Sequence, residues 1–223
     1  MNTPRLTEND VWLLNYYRLS EVNGALFFGR IARIVRGPLQ VDVTHHFADE
    51  ANHARYWTDC LDDLGHAPHR LPSGYQDQYL EVAGMPANLM EVLAITQVFE
   101  KRVIGVYRRH LRHPGTHPRV RQTIERIMLD ERRHIGYVRT ALEQMADKYG
   151  ADRIEKAVDH FTQADREVYA KTIAEYGERF AHLTADYDLR ADDDAYDDTY
   201  GDLDDAEGVP RIATNLGKGA TLC

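Results

Sequence analysis

Four stretches with the apolar period of an α-helix each carry a glutamate in the middle of the apolar stripe: Glu21, Glu50, Glu100 and Glu131. Nothing else in the chain restricts its fold as much. A carboxylate on the inward face of a helix is costly to bury unless its charge is neutralised. Four of them on four helices call for a bundle whose interior holds a shared counter-charge. Histidines stand three residues after two of the glutamates, in Glu50-Ala51-Asn52-His53 and Glu131-Arg132-Arg133-His134. Residues i and i+3 share a helical face, so each pair aims two ligands at one spot.

The surrounding pattern is helical almost throughout. A first helix runs from capping side chains at Thr7–Asp10 to about Val35, with the stripe Leu14, Tyr17, Glu21, Gly24, Phe28 and Ala32. Gly37-Pro38 then breaks it. A second spans about Val43–Leu64, with His46, Glu50, His53, Trp57, Cys60 and Leu61 inward. Residues 66–86 hold Pro68, Pro72, Gly74, Gly84 and Pro86 and read as a long connection with a short helix near Asp77–Val82. Further helices are predicted over about Ala87–Leu111, Val120–Lys148 and Asp152–Leu183. The fold class is therefore all-α: two helical hairpins (10–148) joined by a long crossover between helices 2 and 3, then a fifth helix (152–183). Domain organisation follows: a helical domain over 1–184 and an acidic tail over 185–223.

The halves repeat. Asp49-Glu50-His53-Tyr56 matches Asp130-Glu131-His134-Tyr137 in the pattern Asp-Glu-x-x-His-x-x-Tyr, at an offset of about 80 residues. A single Glu-x-x-His is usually a solvated pair. The conjunction of four inward glutamates and two such histidines is the ligand set of a dinuclear metal site. Carboxylate and imidazole donors suit iron or manganese, and with two cysteines, Cys60 and Cys223, the chain lacks a thiolate zinc or rubredoxin-type set.

These residues, in this order and with this crossover, resemble the ferritin-like superfamily on its rubrerythrin and di-iron oxygenase side, over roughly residues 10–148. The resemblance implies two Fe ions, with Mn/Fe or two Mn as alternatives. Glu50 and Glu131 would bridge them, Glu21 and Glu100 would be terminal carboxylates, and His53 and His134 would complete one metal each. Asp49 and Asp130 would orient the histidine of the opposite hairpin. His46, four residues before Glu50, is either a further ligand or a histidine lining the bundle end. Tyr17, Gly24, Trp57 and Tyr107 are candidates for a pocket beside the metals, and the aromatics equally for core. The implied activity is an oxidoreductase that uses dioxygen or peroxide on a small organic substrate, with an electron-donor protein as partner. Iron oxidation, peroxide reduction and a binding bundle with a vestigial site are the alternatives.

Charge narrows the partners. The net charge is −9, yet the segment 186–207 carries eleven acidic residues and one arginine. The rest is nearly neutral, which disfavours nucleic acid and anionic membrane. No apolar run is long enough to span a bilayer. A cytoplasmic setting and a homodimer are expected. The tail reads as disordered, and its end, with Ile212, Leu216 and Leu222, as a frayed terminus or a docking peptide.

Overall fold

The computed structural model describes residues 5–184, all of whose regular elements are helices: α1 (Glu8–Ala32), α2 (Leu39–Asp63), α3 (Tyr75–Ala83), α4 (Leu89–Arg112), α5 (Pro118–Tyr149) and α6 (Ala151–Thr184). The acidic tail lies outside the described residues. No helix is long and apolar enough to cross a membrane among the described residues.

Local chemistry sets the helix ends. Thr7 caps α1 in a reciprocal box with Asp10. Asn88 accepts a hydrogen bond from the Glu91 amide at the start of α4. Two boundaries differ from the periodicity. α1 stops at Ala32, because the amides of Ile34 and Val35 both turn back to the Ile31 carbonyl. α2 begins at Leu39 rather than Val43. Gly37, at φ 77°, reverses the chain, and Pro38 at φ −55° is already helical, so α2 can start at once.

α1 pairs with α2, and α4 with α5; the hairpins meet along α2 and α5. His46 reaches Tyr137 while His53 reaches Asp130, so α2 and α5 run antiparallel. α4 is antiparallel to α5 and hence parallel to α2. The connection between α2 and α4 must therefore travel the length of the bundle, and α3 forms within it. The fourth side of the bundle is open: no Cα pair between α1 and α4 comes within 8 Å. α3 and α6 pack over that side, so the last helix belongs to the body of the domain.

A buried ion pair fastens this cover. Arg102 of α4 is bound to Asp165 of α6 through both Nε (3.0 Å) and a terminal nitrogen (2.5 Å). Tyr75 of α3 donates to the same carboxylate at 2.5 Å, and the Arg102 guanidinium lies over the Tyr169 ring. Asp165 is fully buried. It sits between Phe161 and Val168 on the inward stripe of α6, the same sequence signal that marks the four glutamates.

Removing one partner leaves the other charge buried and unpaired. Asp165→Ala is expected to lower stability by about 3–5 kcal/mol in urea denaturation. Exposed Asp159→Ala should stay within about 0.5 kcal/mol of wild type.

Candidate metal centre

The four glutamates converge in one buried layer. Glu21, Glu50, Glu100 and Glu131 are each 6% exposed or less, and His46, His53 and His134 each 2% or less. Apolar clusters bracket the layer: Leu13, Leu14, Trp57 and Ile104 lie in the main core, and Phe28, Ile31, Val35, Val43 and Val92 form another cluster.

Two groups of four residues have ligand atoms within 4.8 Å of one another: Glu21, Glu50, His53 and Glu131, and His46, Glu50, Glu100 and His134. Glu50 belongs to both. Glu131 also reaches both, with one oxygen 3.2 Å from His53 Nδ1 and the other 3.1 Å from His134 Nδ1. The two halves thus meet across Glu50 and Glu131, with Glu21 and Glu100 at opposite sides.

Each histidine turns one ring nitrogen to the carboxylates and the other to an anchor. His53 presents Nδ1, and its Nε2 lies 3.3 Å from Asp130. His134 presents Nδ1, and its Nε2 lies 3.2 Å from Asp49. Each aspartate comes from the opposite hairpin. Arg133 touches both aspartates. His46 presents Nε2, 3.0 Å from Glu100 and 3.3 Å from Glu50, and its Nδ1 is 2.8 Å from the Tyr137 hydroxyl. Its ring is sandwiched between Phe28 and His134, with centroids 3.6 Å away on each side. His46 is thus inside the cluster rather than in a lining at the bundle end. At the corresponding place in the repeat, four residues before Glu131, stands Ile127. The third histidine is confined to one half, so the halves are unequal.

Electrostatics show how poorly this layer tolerates its own charges. Burial pushes Glu50 and Glu100 well above the ordinary carboxylate range, and neighbouring glutamates push the same way. Burial acts on Glu131 in that direction too. Its polar contacts with Glu100, His134 and His53 outweigh it and hold Glu131 well below the ordinary range. Burial opposes the charged form of His134, but Asp49 and Glu131 raise it to about 9. His46, desolvated and beside two histidines, is driven well below the ordinary histidine range.

The donor set fits a pair of cations. Four buried carboxylates and three imidazoles are hard and borderline donors for iron or manganese. His46 Nε2 and His53 Nδ1 are buried with no hydrogen-bond partner, although carboxylates surround them. Orphaned ring nitrogens beside carboxylates are what a metal ligand leaves when its ion is removed. Packing agrees at Gly24. A Cβ there would fall 2.0 Å from Glu50 Oε2, so glycine makes room for this carboxylate.

The aromatic candidates divide. Tyr107 donates to Glu21 Oε1 at 2.5 Å and accepts from Trp57 Nε1 at 3.1 Å, which fixes the carboxylate's rotamer. Tyr17 packs edge-on against Tyr107 and pairs with His110 Nδ1 at 3.3 Å. Trp57 is wholly buried and lines neither of the two cavities beside the glutamates; it is core, as its stripe position allows. His46 also lines neither. Gly24 lines the larger cavity and Tyr17 and Tyr107 the smaller. His110 and the Tyr137 anchor were missed. For Tyr137 a signal existed, its place in the repeated Asp-Glu-x-x-His-x-x-Tyr.

Comparison with protein-family models, with curated proteins and with solved structures gives no match.

His46→Ala is expected to lower the metal bound per chain, read by plasma mass spectrometry after iron or manganese loading, while His45→Ala is not. Gly24→Ala should do the same through displaced Glu50. Equal loading of wild type and both cluster variants would exclude His46 and Glu50 as ligands.

Proposed function

We propose that the chain is a ferritin-like dinuclear metalloprotein, with iron the favoured metal, and that it acts as an oxidoreductase on a small organic substrate. The observation that carries this reading is the pair of four-residue groups that share Glu50 inside a bundle open on one side. A metal pair bound there would supply two-electron reduction of dioxygen or peroxide.

For hydroxylation the balance is one dioxygen, one C–H bond, two electrons and two protons giving one C–OH and one water. The electrons come from a separate donor protein. The chain's own residues supply the rest. Glu50 and Glu131 hold the two halves at a fixed spacing. Asp49, Asp130 and the Tyr137 hydroxyl fix the ring orientation of His134, His53 and His46. Tyr107 keeps a proton on its hydroxyl, because burial and Glu21 oppose its loss, and so remains a donor to Glu21. The apolar clusters exclude bulk water from the layer.

An organic substrate is favoured over iron storage by the space beside the glutamates. A cavity of about 310 Å³ reaches all four of them, and it is walled mainly by carbon. Iron destined for storage would need a polar path instead.

The test is metal content and oxygen consumption of the full chain beside the isosteric variant Glu50→Gln/Glu100→Gln. Wild type should hold close to two ions per chain, and the variant should lose them. In the metal-free state the variant should be at least as stable as wild type in thermal denaturation, since the cost of burying two ionisable carboxyls is gone. A metal-free wild type after anaerobic loading, or a variant that melts well below it, would return the glutamates to a structural role.

A further inference from the structure

The open side of the bundle points to the kind of molecule the site admits. The 310 Å³ cavity fills the gap between α1 and α4, in the size range of small-molecule sites. Its inner end is Glu21, Glu50, Glu100 and Glu131, and none of the three histidines lines it. The histidines and their anchors occupy the α2–α5 side, so the carboxylate side is the accessible one. Phe27, Phe28, Ile31, Leu80, Phe99 and Val103 form the walls. Leu26 and Met85, 62% and 68% exposed, also belong to the lining and mark its mouth. Large apolar side chains held in water at the mouth of an apolar cavity suit an apolar visitor.

One cation is in this lining. Arg30 is exposed and has no ion-pair partner among the described residues. It stands nine residues along α1 from Glu21, roughly 13 Å at the helical rise. A guanidinium binds a carboxylate through two parallel hydrogen bonds. With Asp77 also in the lining, a singly charged head is favoured over a doubly charged phosphate.

We propose that the α1–α4 gap binds an apolar monocarboxylic acid, with its carboxylate on Arg30 and its hydrocarbon body running along α1 to the four glutamates. What the inner end meets rests on the dinuclear reading above; the binding itself rests on the cavity and Arg30.

The probe is decanoate, titrated by calorimetry into the full-length chain, with decanol as the uncharged control. Wild type should bind decanoate with one-to-one stoichiometry. Arg30→Gln should weaken decanoate at least tenfold and leave decanol unchanged. Val103→Trp, which fills the gap, should abolish both, with its helical content checked by circular dichroism. No decanoate binding to wild type, or equal affinity in Arg30→Gln, overturns the proposal; this surface variant decides even where Val103→Trp fails to fold. In protein loaded with Mn²⁺, proton relaxation should be faster at the methyl end of decanoate than beside its carboxylate. The reverse gradient overturns the orientation. A chain that takes up no manganese yet binds decanoate through Arg30 overturns the dinuclear reading and upholds the cavity.

Discussion

Burying four carboxylates in one layer is the constraint around which the rest of this structure is arranged. Left alone, such a layer repels itself, and burial has already driven Glu50 and Glu100 toward the protonated form. The surrounding residues act to keep the layer in place despite that cost. Gly24 removes a side chain where Glu50 must lie. Tyr107 pins Glu21, and Trp57 pins Tyr107. Each histidine is held from behind by a residue that fixes which nitrogen faces inward. A bundle selected for stability alone would replace these groups with well-packed apolar side chains. Buried donors that are each anchored by a neighbour are what the proposed metal site would require.

The arrangement also has two unlike faces. Toward α2 and α5 the layer is filled by the stacked rings of His46 and His134, and Asp49 and Asp130 hold His134 and His53 from behind. Toward α1 and α4 the helices stand apart, and the glutamates face a cavity. The third histidine strengthens this polarity, since it adds a donor on the closed side of one half. The repeat in the chain therefore does not produce two equal sites. One half has His46 and the other Ile127 at the matching turn, so the two halves differ in the donors they offer.

Much of this was legible from periodicity, because a mid-stripe glutamate on an i, i+3, i+4 pattern has few alternatives to facing the interior. The four glutamates, His53, His134 and both aspartates are placed by that logic and by the repeat. His46 shows where it ends. Spacing puts His46 on the same face as Glu50, but whether a residue one turn away reaches the layer depends on how α2 and α5 are staggered. Here the stagger brings Tyr137 to its Nδ1, and one sequence does not report stagger. The start of α2 at Leu39 was hidden for another reason. Pro38 after Gly37 reads as a break, yet it is also a pre-set first turn.

The open face depends on a feature far from the four glutamates in sequence. A gap between two bundle helices would ordinarily collapse, since apolar walls gain by meeting. In this chain α3 and α6 cross over the gap and are locked to α4 by Arg102, Asp165 and Tyr75. α4 is thereby held to the outer layer as well as to α5, which opposes its closing onto α1. The smaller cavity, of about 70 Å³, lies against this lock and shares Ser20, Glu21, Gln76, Phe99 and Val103 with the larger one. The crossover and the last helix thus act as a splint. They keep space beside the carboxylates that the four core helices, packed alone, would have filled.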